Sequence, residues 1–164
     1  MKQENHIVLE TPRLSLRPMT DAEAQALRAR TGDPELRDAY AEMLEGCQRD
    51  PAHRIWYAPW QMTARAGGAF LGDLCFKGPA AAGAVEIGYG ILQAFEGHGY
   101  TTEAVRALTR WALSQPGVTA VEAETDPENR ASQRILEKCG FTPTGTQGKE
   151  GPRFRCIAAP KTAE

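Results

Sequence analysis

The segment that most limits the fold is Glu96-Gly97-His98-Gly99-Tyr100-Thr101-Thr102-Glu103, because it joins a strand pattern to a helix pattern through two closely spaced glycines. Before it, Val85, Ile87, Tyr89 and Ile91 alternate with Glu86, Gly88 and Gly90, a period of two that predicts a strand. After it, Ala104, Leu108, Trp111 and Ala112 fall on one stripe of a helix predicted over 101–114, which Gln115-Pro116-Gly117 stops. Val118 to Thr125 is the next strand. A strand, a helix and a strand in that order normally make a crossover between parallel neighbours, so residues 84–92 and 118–125 are expected to run parallel.

A glycine loop that opens a helix aims free backbone N–H groups and the positive helix end at one point, and such a point binds phosphate. Glycine lets the backbone come close to an anion and adopt φ values that other residues resist. A glycine pair also occurs in turns for steric reasons alone, so the loop is weak evidence by itself. Two nucleotide fingerprints are excluded. No lysine stands where a P-loop needs one, and the third glycine of a dinucleotide-binding GxGxxG would be Thr102.

The rest of the chain supplies strands and helices around this unit. Leu14 and Leu16 alternate with Arg13, Ser15 and Arg17 in a first strand ended by Pro18. Thr20 and Glu23 form a capping box for an alanine-rich helix that Gly32-Asp33-Pro34 closes. In the ambiguous stretch 35–58, Leu36, Tyr40, Met43 and Leu44 recur at helical spacing, and Trp56, Tyr57 and Trp60 are expected to pack in the core. Trp60 to Arg65 and Ala69 to Phe76 make a hairpin about Gly67-Gly68. Asn129 caps a helix whose stripe is Ala131, Ile135 and Cys139, with Gly140 at its end, and the tail from Phe141 to Ile157 holds a final strand pair.

The 164 residues suit a single domain over 1–164 with its own core. A net charge of −2 argues against a nucleic-acid partner. No apolar run reaches the ~20 residues of a membrane span, and the polar start lacks a signal-peptide core, so a cytoplasmic protein with no membrane partner is expected. Cys47, Cys75, Cys139 and Cys156 form no CxxC pair, and no metal site is expected. His6, His53 and His98 fit neither a catalytic triad nor a metal set.

Val85-Glu86-Ile87-Gly88-Tyr89 through Glu96 to Ala104 resembles the central motif of the GNAT acetyltransferases, and Asn129-Arg130-Ala131-Ser132 with Glu137-Lys138-Cys139-Gly140-Phe141 resembles the motif that follows it. Together with Leu9-Glu10-Thr11-Pro12-Arg13-Leu14, these segments are similar to the branch that contains the ribosomal-protein N-terminal acetyltransferases. The resemblance spans most of the chain, with three motifs in order. It implies an α/β fold with a mixed, largely antiparallel sheet, helices on both faces, and a splayed parallel strand pair at the cofactor site. It implies acetyl-coenzyme A as co-substrate, with its diphosphate on the backbone amides of Gly97, His98, Gly99, Tyr100 and Thr101. Its pantetheine arm is then expected on main-chain groups of Ile91 and Leu92, with Asn129 and Ser132 also in contact. Two positions depart from the family pattern: Glu96 stands where a neutral or basic residue is usual, and Thr101 where a small one is. Glu96 would repel a diphosphate unless it turned to solvent.

Transfer of an acetyl group to an amine needs a base for the amine and a donor for the departing sulfur. Glu86 is the candidate base, since it shares a strand face with Gly88 and Gly90 and nothing there blocks a ligand. The plainer alternative is an ion-paired structural glutamate. The tyrosine that many members place before the Glu-Lys-x-Gly-Phe segment is Leu136 here, which leaves Ser132, in the first turn of its helix, to assist the thiolate. Cys139, on an apolar stripe, suits a buried packing role better than an acyl-enzyme nucleophile. Two functions use the cofactor: direct acetyl transfer to a primary amine, whether a protein N-terminus or a small amine, or a non-enzymatic acyl-coenzyme A binding or regulatory module; a structural or interaction domain without coenzyme A would require the glycine loop to be merely a turn. A monomer or a homodimer fits either.

Overall fold

The computed structural model describes residues 6–158. Strands β1 (Leu9–Glu10) and β2 (Leu14–Pro18) lead to helix α1 (Asp21–Arg30). The Thr20 hydroxyl accepts from the Glu23 N–H at 3.1 Å and the Glu23 carboxylate accepts from the Thr20 N–H at 2.9 Å, the reciprocal box expected from sequence. The ambiguous stretch begins with helix α2 (Pro34–Arg49). Asp33 caps it by accepting from the Glu35 N–H, and proline sits where a helix tolerates it. A tight 3-10 segment, Pro51–Trp56, follows. Then come β3 (Trp60–Ala64), β4 (Phe70–Phe76), β5 (Ala84–Ile91), α3 (Tyr100–Leu113), β6 (Ala120–Glu124), α4 (Arg130–Lys138), β7 (Thr142–Gln147) and β8 (Pro152–Cys156).

The strands form one eight-stranded sheet in the order β1-β2-β3-β4-β5-β6-β8-β7, antiparallel throughout except for β5 and β6. The parallel pairing is short: Ala84, Val85 and Glu86 face Ala120, Val121 and Glu122, and no register continues beyond. From Ile87 to Ile91, β5 pairs with β4 alone, while Glu124 at the end of β6 pairs with Arg153 of β8. The two strands therefore splay from a vertex at Glu86 and Glu122.

Arg153 holds that vertex. Its guanidinium reaches Glu86 at 3.1 Å, Glu122 at 2.9 Å and Glu124 at 2.7 Å, while Lys77 pairs with the second Glu86 oxygen at 3.0 Å.

Alternation along the strands divides the residues between two faces. Leu14, Leu16, Trp60, Met62, Leu74, Phe76 and Ile87 are buried against α3, whose Ala104, Val105, Leu108 and Ala112 complete the core. The aromatic stretch belongs to this core: Trp56 lies 4.8 Å from Phe76 between ring centroids, Trp60 lies 5.1 Å from Trp111, and the Trp60 indole donates to Ile55 O. The opposite face carries Arg17, Gln61, Asp73, Cys75, Glu86, Gly88 and Gly90, and α2 lies over it, with Tyr40 bonded to Asp73.

Three sequence expectations change. The short strand β1 carries no alternation signal of its own, and it forms because Leu9 and Glu10 pair back onto Leu16 and Ser15. Helix α3 begins at Tyr100 and ends at Leu113, one residue earlier at each end than expected. The buried side of α4 is made by Leu136 and Cys139 with Ile135 beside them, whereas Ala131 is exposed, because it lies in the first turn that faces the open gap.

Candidate functional site

A cleft of about 1000 Å3 opens between the splayed end of β5 and the N-terminal turns of α3 and α4. Its floor is Tyr89, Gly90 and Ile91; Gly97, Gly99, Tyr100 and Thr101 form one wall, and Asn129 to Ser132 the other. The loop that sequence singled out thus faces the helix that sequence placed second.

Gly97 and Gly99 have φ of 80° and 79°, the left-handed region that glycine enters without cost. Gly99 is the N-cap of α3 and has no side chain to satisfy the first turn, so the N–H groups of Tyr100, Thr101 and Thr102 lack intrahelical acceptors; the first helical bond runs from Glu103 N to Gly99 O. The loop is held from outside the motif. Arg13 donates to Glu103 through Nε at 2.8 Å and to His98 O through Nη1 at 2.9 Å, and its guanidinium stacks 4.4 Å from the Tyr100 ring centroid. The Thr11 hydroxyl also binds the Glu103 carboxylate. Burial pushes the Glu103 carboxyl up, but the bonds from Thr11 and Arg13 outweigh it and hold the group below the usual range. The Thr11-Pro12-Arg13 segment is therefore the clamp of the glycine loop, a role its sequence did not disclose.

Main-chain accounting separates Ile91 from Leu92. The Leu92 N–H is spent on Leu71 O and its carbonyl on Phe95 N. In an antiparallel ladder, alternate residues point their groups to the other side, so Tyr89 and Ile91 present N–H and C=O to the gap that β6 has vacated. Ile91 lines the cleft and Leu92 does not. His98, expected to bind the cofactor, does not line the cleft either: its carbonyl accepts from Arg13 and its ring rests 5.9 Å from that of Tyr100.

On the far wall, the Asn129 Oδ1 caps α4 by accepting from the Ser132 N–H at 3.0 Å. The Ser132 hydroxyl meets the Tyr89 hydroxyl at 2.7 Å. Burial raises the Tyr89 pKa, with the bond to Ser132 pulling the other way, so the phenol stays protonated and able to donate at neutral pH. Leu136 is fully buried in the core. Arg130, Arg134 and Lys138 form a cationic row at i, i+4 and i+8 along the cleft, opposite the single acidic Glu96, which is exposed. That row is legible in the sequence as a spacing of four, although each residue alone looks like a solvated helix charge.

The structure does not bring Glu86 and Ser132 together. Glu86 is on the opposite sheet face, at the vertex, with both oxygens engaged by Arg153 and Lys77. Cys139 is buried, its thiol pushed up to about 11 by burial, which leaves it no role as a nucleophile. Among the described residues there is no cluster of metal-ligating side chains and no helix long and apolar enough to cross a membrane.

A free amide cradle, unpaired strand edge and cationic helix row together fit an extended ligand that carries phosphates at one end. A family model described as an acetyltransferase (GNAT) domain matches residues 13–142. The chain is 39% identical over 75 residues to the uncharacterized N-acetyltransferase YjdG of Bacillus subtilis, a stretch covering 46% of this chain and 42% of that protein. It is 28% identical over 149 residues to the uncharacterized N-acetyltransferase YoaA of the same organism, covering 84% of each. An acetyltransferase from Agrobacterium tumefaciens superposes with a TM-score of 0.70 at 22% identity, covering 91% of this chain and 93% of that one. RimL, a ribosomal L7/L12 alpha-N-protein acetyltransferase in complex with coenzyme A, superposes with a TM-score of 0.69 at 16% identity, covering 93% and 99%.

Proposed function

The chain belongs to the GNAT acetyltransferase family, and we propose that it transfers an acetyl group from acetyl-coenzyme A directly to a primary amine, without an acyl-enzyme intermediate. The observation that carries the reading is the continuity of one cleft from the Gly97–Thr101 amides, along the free edge of β5, to the Tyr89–Ser132 hydroxyl pair. The diphosphate belongs on the amides, with Arg130, Arg134 and Lys138 offsetting Glu96. The pantetheine arm takes the open main-chain groups of Tyr89 and Ile91, with Asn129 on the far side. The thioester then ends beside Ser132, whose hydroxyl hands its proton to the departing sulfur and recovers one from Tyr89, which is reprotonated from solvent. The carbonyl is polarised by the same open backbone N–H groups.

A non-catalytic acyl-coenzyme A module is the reading that Leu136 and Glu96 together favour. The hydroxyl pair supports the catalytic reading, since Ser132 of α4, backed by Tyr89 of β5, offers the departing sulfur a donor at another place on the helix than position 136. RimL is a ribosomal L7/L12 alpha-N-protein acetyltransferase, and a protein N-terminus is one acceptor that this family likeness supports; a small amine is the other.

Calorimetric titration with acetyl-coenzyme A tests the site. Wild type binds and melts at a higher temperature with the ligand present. Gly99→Val puts a β-branched residue at a positive φ, with its Cβ 3.4 Å from the Arg13 guanidinium, and should weaken binding by about tenfold or more. Equal affinity of the two proteins would remove the diphosphate from this loop.

A further inference from the structure

On the other side of the sheet from Ser132 lies a second pocket, of about 410 Å3, between α1, α2 and the ends of β4 and β5. It shares Gly90 and Ile91 with the cofactor cleft, so the two hollows meet across the bare backbone of one strand. Leu27, Leu36 and Phe70 give it apolar walls, and Asp73 is its carboxylate. A Cβ built on Gly90 would stand 3.7 Å from Asp73 Oδ1, so the missing side chain leaves that oxygen open toward the strand. The Tyr40 hydroxyl donates to Oδ2 at 2.6 Å and fixes the carboxylate. Among the described residues no lysine or arginine pairs with Asp73, which sets it apart from the vertex glutamates.

We propose that this pocket is the acceptor site, that it takes a primary amine borne on an apolar body, and that Asp73 is the catalytic base, positioned by Tyr40. The inference rests on the acetyltransferase reading above and names its substrate class. An ammonium entering an apolar pocket loses its water and meets one carboxylate. Burial pushes Asp73 up, with the Tyr40 bond opposing, which makes it a better proton acceptor than an exposed aspartate. The ammonium gives one proton to Asp73, and its lone pair forms the C–N bond as the C–S bond breaks. The second amine proton leaves to solvent, and sulfur takes the Ser132 proton from the opposite face. Glu86 lies four residues back along β5, ~13 Å from Gly90 at strand spacing, and it keeps its cations. Arg30 at the pocket wall opposes a second positive charge on the substrate, and the pocket volume suits a side-chain-sized body.

The groups that bear on Asp73 titration are Tyr40 from α2, Arg30 from α1, Cys75 on its own strand, and Gln61 opposite it on β3, beside the Arg17–Glu23 pair; β5 contributes only Gly90.

The test measures acetyl-coenzyme A-dependent thiol release by the full chain with four probes: 2-phenylethylamine, a tetrapeptide beginning with leucine, spermidine, and a tetrapeptide beginning with aspartate. The first two should be acetylated, and their ratio tells a free amine from a peptide terminus; preference for either of the last two overturns the pocket. Asp73→Asn should keep the acetyl-coenzyme A affinity while kcat falls by ~10²-fold or more, with the deficit shrinking as pH rises. Tyr40→Phe, which remains informative should Asp73→Asn fail to fold, removes a bond that favours the ionised carboxylate, so the acid limb of kcat/KM moves to higher pH. Full turnover in Asp73→Asn, or an unmoved acid limb in Tyr40→Phe, overturns the base assignment. A wild type that binds no acetyl-coenzyme A overturns the transferase reading itself, whereas one that binds it yet acetylates neither apolar probe overturns the pocket alone.

Discussion

The hydroxyls of Tyr89 and Ser132 come from a strand and a helix 43 residues apart, and each is useful only where the other puts it. Ser132 alone is a surface-facing residue in the first turn of a helix, and Tyr89 alone is a strand tyrosine beneath α4. Residues that pass one proton act as a unit, so their kinetic effects should not add. Tyr89→Phe and Ser132→Ala should each lower kcat by ~10-fold to 10²-fold, and the double variant should lose little more than the worse single one. Rate measurements on the three proteins with a common amine decide this; losses that multiply would mean that the two hydroxyls act independently. The pair also marks where sequence stopped short. Ser132 was identifiable from its motif, but Tyr89 sat in an alternating apolar run and was indistinguishable from its core neighbours Val85 and Ile87. Only the splay of β5 from β6 turns its ring tip toward a cleft. Asp73 was hidden in the same way, since an acidic residue in a strand reads as a solvent position until a helix covers it.

At the scale of elements, local patterns carried most of the fold. Period-two and period-3.6 stripes, the Thr20 capping box and the glycine ends located the hairpin, α3 and the parallel pair to within a residue or two. What local pattern lacks is partnership at long range. Arg153 binds Glu86, Glu122 and Glu124, which lie 67, 31 and 29 residues away, and nothing near Arg153 in the chain announces it. Removing that guanidinium leaves three carboxylates crowded at the vertex, of which Glu86 keeps Lys77 and Glu122 keeps Arg155. Arg153→Ala should cost on the order of 2 kcal/mol. For a chain of this length each kcal/mol lowers the melting temperature by ~2–4 °C. Arg153→Lys restores the charge but not the fork that spans several carboxylates, and it should recover only part of the loss. Thermal melts of both variants check this, and an Arg153→Ala protein as stable as wild type would reduce the cluster to a surface ornament.

Across the molecule, among the described residues, carboxyls held down by hydrogen bonds and ion pairs outnumber those pushed up by burial, and their balance sets the acid limit of stability. Arg17 holds Glu23 down to about 2. Glu103 lies below the usual range by the net of burial and its bonds to Thr11 and Arg13, Glu122 through Arg155 and Arg153, and Glu124 through the Glu150 backbone N–H and Arg153. A carboxyl whose folded pKa is depressed contributes stability that is fully present above its unfolded value, ~4.3 for glutamate, and is lost as pH falls through the folded one. Asp73 has the opposite sign: burial raises it, so its ionised form opposes folding above the unfolded pKa and its protonation on acidification gives a little back. Four depressed groups against one raised group predict a melting temperature nearly flat at neutral pH and falling steadily below about pH 4.5. Glu23→Gln should flatten the lowest part of that fall, because a carboxyl held down to about 2 is removed, and Asp73→Asn should melt higher than wild type at neutral pH. The Arg17–Glu23 pair is more than a third exposed on each side, so added salt should lower its share while leaving the half-buried Arg153 cluster less affected. Melts of the three proteins from neutral pH to about pH 3, at low and high salt, check each term; a wild-type melting temperature that holds steady through that range would mean that these carboxylates are as free in the folded chain as in the unfolded one.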